Sequence, residues 1–391
     1  MSGATENLDA KTDAGAADEG ATAGWRRWVP WVLIVLASLI GLVSALNLWV
    51  QRQALETDAW TEASSRLLAD DEIRNALAVY MVDQLYDNVD VGQALEERLP
   101  PSAQALGPPL ALALEPALVR TADTILARPR VQALWENANR RAHQLLMALL
   151  EGEREILVAS DGNVVLDLGP ILEEVQERTG IGERLQERLP EDAGQLVIME
   201  GNQLETARKT VNAISFLSYF LSFVVIGLFA LAVYLARGRR RTMLLAVGIS
   251  CLVVGLIVLV VRRLAGRYLV DALTTTDTAK EPVSAAWAIG TELLRNVGFN
   301  ILVYGLLITF AAWIAGPSRP AVWVRRTLAP TLRERPVLVY GAVAFVLLLV
   351  LLAGPTDGQR IYPLLFLFAL TFVGTEVLRR QTAREFPAAA P

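Results

Sequence analysis

The chain has 391 residues, 53% of them hydrophobic, and a formal net charge of −5 with one cysteine and one histidine. The single cysteine, Cys251, excludes an intramolecular disulfide and a thiolate metal site. Charge is unevenly placed: residues 51–210 hold 28 of the 41 acidic and 15 of the 36 basic side chains, leaving that segment at −13 and the remainder at +8. So acidic a segment repels nucleic acid and anionic head groups, and leaves cationic partners, divalent ions or plain solubility as readings.

Residues 1–24 are small, polar and aperiodic, which predicts a disordered cytoplasmic tail. A membrane-crossing helix needs roughly 20 apolar residues to cover a hydrocarbon core about 30 Å thick. The first such stretch is Trp28–Val50. It is too long for a removable signal peptide and lacks the small-residue cleavage site, so residues 25–50 are expected to remain as transmembrane helix 1. Trp25, Trp28 and Trp31 at one end and Trp49 at the other fit aromatic belts. Ala37, Gly41 and Ala45 form a small-residue stripe suited to packing inside a helix bundle.

Residues 51–210 suffice for one extracytoplasmic domain. Helical periodicity governs its first two-thirds: Ala59, Ala63 and Leu67 share a face over 58–69. Asp70 reads as the N-cap of a helix through Tyr86, with Ile73, Leu77, Tyr80, Met81 and Leu85 as its buried stripe. Asp90 caps a short helix ending at Leu99-Pro100, and Pro129 starts one that runs to about Leu150. The period then changes: 156–159 and 164–168, joined through Asp161-Gly162, read as a hairpin, and Gln195–Met199 as a third strand. From Gln203 a helix is expected to enter the membrane. Residues 91–100 and 181–190 are similar decapeptides, which reads as one helical element used twice.

Five further apolar stretches follow: Val211–Ala236, Thr242–Val261, Gly298–Ala315, Val337–Ala353 and Ile361–Val377. Of the six, only the last holds an ionisable residue, Glu376 at its end, which counts against an ion-coupled pump. The layout is then transmembrane helices 2–3 over 211–261, an outer loop over 262–297, helices 4–6 over 298–378 and a cytoplasmic tail over 379–391. With the N-terminus inside, the inner flanks carry fourteen Lys/Arg and the outer loops six, which places both termini in the cytoplasm. The expected fold class is therefore a mainly α membrane protein of six spans with an inserted α+β domain. Arg262, Arg263 and Arg267 lie outside against the bias, and are candidates to touch lipid phosphate or the acidic domain.

The runs Leu189–Met199, Asn202–Ala207 and Pro129–His143, with the turn Asp161-Gly162 before Val165–Leu168, resemble uncharacterised multi-pass integral membrane proteins of actinobacteria. The resemblance covers roughly residues 28–315 and implies a plasma-membrane location, but brings no activity and no functional residue. Only three of the 36 basic residues are lysine, a usage that fits a GC-rich bacterial genome.

His143 would have to serve any Ser or Cys triad, yet no nucleophile elbow, Walker A, zincin or dinucleotide motif accompanies it. It is expected to be a hydrogen-bonded or surface residue whose replacement costs no more than about 1 kcal/mol. The acids Asp83, Asp87 and Asp90, Glu96 and Glu97, and Glu173, Glu174 and Glu177 lack the spacing of an EF-hand and are expected to meet water. No catalytic residue, cofactor or metal is assigned. The function expected is a non-enzymatic cell-envelope protein whose outer domain binds or scaffolds an envelope protein or lipid partner. Alternatives are a permease or lipid-handling protein, for which Asn47, Asn212 and Asn300 are the polar candidates, and an exported hydrolase or transferase.

Overall fold

The computed structural model describes residues 6–151, 163–167, 195–353 and 361–385. They divide into two compact units, one drawn from Met1–Trp49, Tyr219–Leu269 and Thr291–Pro391, the other from Val50–Ser218 and Val270–Gly290.

The first unit is helical throughout its described residues. It contains most of α1 (Glu6–Val50), the later part of α7 (Gly201–Leu235), most of α8 (Arg240–Leu273), α10 (Glu292–Ile314), α11 (Arg319–Glu334), α12 (Pro336–Ala353) and α13 (Ile361–Glu385). α7 and α8 form a hairpin turned at Gly238, whose φ of 81° lies in the left-handed region that a side chain disfavours. Ile34 of α1 closes a cluster with Ala232, Ala236, Met243 and Val247 of that hairpin. The stripe of α1 packs as expected: Ala37 and Ala45 are buried, and the Gly41 α-carbon faces Val225.

Two expectations about this architecture are corrected. Four helices of the described residues, not six, are long and apolar enough to cross a bilayer: Trp28–Leu55, Glu205–Leu235, Arg240–Leu273 and Glu292–Ile314. The stretches expected as fifth and sixth spans form the helices α12 and α13, which are not among the four. α13 ends in Glu376, Arg379, Arg380, Arg384 and Glu385, so its charged last third cannot lie in hydrocarbon.

The second correction concerns the inserted domain, which is a helical assembly rather than an α+β domain. It consists of a π-helical turn at Gln51–Leu55, α2 (Thr57–Ala69), α3 (Asp71–Asn88), α4 (Val91–Glu96), α5 (Gly107–Leu126), α6 (Pro129–Glu151), the start of α7 and α9 (Lys280–Gly290). Among the described residues extended structure reduces to one antiparallel ribbon, β1 (Asn163–Asp167) against β2 (Gln195–Glu200), with an irregularity between Val164 and Val165. Two strands bury too little to organise a domain, so the helices carry the core. The strand expected at 156–159, and the second decapeptide at 181–190, lie outside the described residues.

Helix starts follow their caps. The Asp70 carboxylate accepts from the Glu72 and Ile73 amides at 3.1 and 3.2 Å, and Asp90 from Gln93 at 2.8 Å. Arg74 ties α3 to α5 through Asp123 at 2.8 Å, and the Tyr86 hydroxyl donates to the Ala111 carbonyl at 2.7 Å. The buried faces differ from those expected. α2 buries Thr61, Ser64 and Leu68, and α3 buries Ala78 and Val82. Tyr80, Met81 and Leu85, expected in the core, are exposed. α9, from the stretch expected to be an outer loop, packs on α2 and α3.

Candidate functional site

His143 is 4% exposed and sits where α6 crosses the start of α2. Ala54 belongs to the last turn before Glu56 turns extended, where carbonyls lack intrahelical partners. The His143 Nε2 lies 3.1 Å from that carbonyl, which can only accept, so Nε2 carries the hydrogen. In the neutral ring Nδ1 then accepts from the Thr57 hydroxyl at 3.0 Å. Trp60 stacks on the imidazole with centroids 5.2 Å apart. Further along, Arg140 meets Asp58 at 2.6 Å and the Trp135 indole donates to the Ser64 carbonyl at 3.0 Å. Both ring nitrogens thus hold α6 on α2. A hydrogen-bonded role was legible, and the burial raises the cost expected of replacement. His143→Ala should destabilise this unit by about 2–4 kcal/mol, since it empties a packed site and strands a carbonyl and a hydroxyl. Unfolding followed through tryptophan emission measures it, and equal midpoints for variant and parent would remove the ring from the core.

Of the three outer arginines, Arg262 is half-buried and clamps α8 to the start of α10, donating from Nε to the Thr291 hydroxyl at 2.9 Å and carbonyl at 3.0 Å. Arg263 and Arg267 are exposed on the far side of α8. Asp83 and Asp87 are exposed and Asp90 is a helix cap, while Glu173, Glu174 and Glu177 lie outside the described residues. No group of three or more potential metal ligands occurs among the described residues.

On the surface of the inserted unit several large apolar side chains are exposed. Tyr80 is 60% exposed and Met81 and Leu85 lie beside it on α3, while α5 shows Leu110, Leu114 and, at 69%, Leu112. Among the described residues nothing covers them.

At the other end of the first unit lies a polar knot that the sequence did not single out. Arg325 of α11 is 3% exposed. Its Nη1 donates to the Ile314 and Gly316 carbonyls, the latter at 2.7 Å, and its Nε to Glu385 at 2.8 Å. Arg241 of α8 donates to the Ala312 carbonyl at 2.9 Å. Two guanidinium groups therefore satisfy two terminal carbonyls of α10 and that of Gly316 just beyond it, where the helix dipole also favours cations. Nearby elements form a cleft of about 520 Å3 lined by Tyr340, Phe372, Val373, Glu376 and Arg380. None of Asn47, Asn212 and Asn300 lines it.

No family model, no curated protein and no solved structure matches this chain.

Proposed function

We propose that the chain is a non-enzymatic envelope protein of the plasma membrane whose helical unit, built on Val50–Ser218, stands outside the cytoplasm and binds a protein partner through α3 and α5. The observation that carries this reading is the uncovered apolar face of Tyr80, Met81, Leu85 and Leu112, on helices outside the four candidate spans. Large apolar side chains left exposed on a water-facing unit mark an interaction site. The −13 charge of residues 51–210 favours a partner whose rim is basic. The engaged ring of His143 supports a binding role over a hydrolytic one.

The orientation rests on the bias of basic residues, which the four spans found among the described residues put at fifteen inside to five outside, and those four spans keep both ends on one side. Protease added to intact spheroplasts should cut between Gln51 and Thr210 and spare a C-terminal tag; a protected unit would reverse the arrangement. For the partner, a photocrosslinker replacing Met81 in the full chain should capture another protein, and Tyr80→Asp with Leu85→Asp should abolish the capture. Crosslinks confined to the chain itself, or capture indifferent to the double change, would refute the binding face.

A further inference from the structure

We propose that α11 is a membrane-surface helix that binds anionic phospholipid, with Arg319 and Arg326 holding the head-group phosphate and Trp323 seated at the glycerol level. The helix has two faces of different fate. Ala321 and Arg325 are buried against the bundle, whereas Arg319, Trp323 and Arg326 are exposed. At 100° per residue the exposed three fall within about 60° of one another, at i, i+4 and i+7. Trp323 is 68% exposed, a large aromatic surface to leave in water.

Position comes from the buried face. Arg325 bonds to the carbonyl of Ile314, the last residue of a candidate span, and to Gly316 just beyond it. That holds α11 within one side chain's length of the span's end, in the layer that head groups occupy. The phase of α11 is fixed as well, because rotating it would tear Arg325 from Glu385 and from both carbonyls. Trp323 and its two arginines therefore point away from the bundle by construction.

The chemistry then selects the occupant. Arg319 and Arg326 enter no ion pair among the described residues. Guanidinium forks match phosphate oxygens two at a time, and indole rings partition to the head-group boundary. A basic, tryptophan-bearing amphipathic helix lying in the interface is a lipid-surface element. An acidic protein surface would satisfy the arginines but offers Trp323 no layer graded from polar to apolar.

The full chain in nanodiscs of phosphatidylcholine, with and without phosphatidylglycerol, tests this. Lipid retained on detergent extraction should be enriched several-fold in phosphatidylglycerol, and Arg319→Gln with Arg326→Gln should bring the enrichment close to one. Soluble glycerol phosphate should not compete, which separates a lipid surface from a free phosphate site. In discs of brominated lipid, the emission lost between the parent and Trp323→Phe should be strongly quenched. That variant changes an exposed side chain, so this arm stands even where the double arginine variant fails to fold. Undiminished enrichment in a folded double variant, competition by glycerol phosphate, or an unquenched Trp323 would each overturn the proposal.

Discussion

Arg325→Met should loosen the C-terminal helix α13 from the first unit at a cost of about 2–4 kcal/mol. Methionine keeps the unbranched apolar stem of the side chain but donates nothing, so the Ile314 and Gly316 carbonyls and the Glu385 carboxylate lose their common partner. The carboxylate is 35% exposed and regains water, which keeps the loss below that of a fully buried pair. Arg325→Lys restores a charge without the fork and should recover only part of the loss. Thermal unfolding in detergent, with proteolysis of α13 alongside, reads the effect; a parental midpoint for Arg325→Met would show that the knot contributes nothing.

The same knot has a pH signature. The Gln381 amide first, and Arg325 next, hold the Glu385 carboxyl below its ordinary 4.5, against an opposing push from burial. A carboxyl whose folded pKa is depressed stabilises fully above its unfolded value and loses that contribution as pH falls through the folded one. The gap between parent and Arg325→Met should therefore narrow below about pH 4.5, leaving only the carbonyl bonds. A gap that widens on acidification would mean that Glu385 is not part of the coupling.

Arg325 and Arg326 also show where the sequence stopped being readable. Both count alike in a tally of basic residues on the inner side, yet one is buried and one is exposed, and only the helical phase of α11 separates them. Helix starts were legible because a cap is a local event: Asp70, Asp90 and Pro129 each precede or begin the helix assigned to them. The buried faces were not. Apolar periodicity found the stripe Tyr80, Met81, Leu85 but says nothing about whether any element covers it, and here small polar Thr61 and Ser64 fill the core side of α2 instead. The count of spans failed because apolar content was read without weighing how charged α13 becomes. The burial of His143 was not legible, because it depends on Trp60 and Ala54, 83 and 89 positions away in sequence.

A second substitution with a large expected effect is Gly255→Leu, which should force α8 and α10 apart at a cost of about 3 kcal/mol. A β-carbon at Gly255 would lie 2.8 Å from the Gly298 carbonyl oxygen and 2.9 Å from the Leu302 nitrogen. One at Gly305 would lie 2.8 Å from the Leu252 nitrogen, and one at Gly248 2.6 Å from the Thr309 nitrogen. These neighbours are backbone and cannot rotate away. Gly248 and Gly255 are one heptad apart on α8, as are Gly298 and Gly305 on α10, and a repeat of 3.5 residues keeps such a seam facing its partner. In lipid, where apolar burial does not drive helices together, this close backbone approach supplies much of the attraction. Gly227→Leu is the matched control, because nothing lies within 4 Å of a β-carbon there. Cys251, the only thiol, is a built-in reporter: its β-carbon lies 3.0 Å from one placed on Gly305. Gly255→Leu should lower the unfolding midpoint and expose Cys251 to a membrane-permeant maleimide, while Gly227→Leu does neither. Equal midpoints and equal labelling in the two variants would show that the seam tolerates separation and that contacts elsewhere hold these helices together.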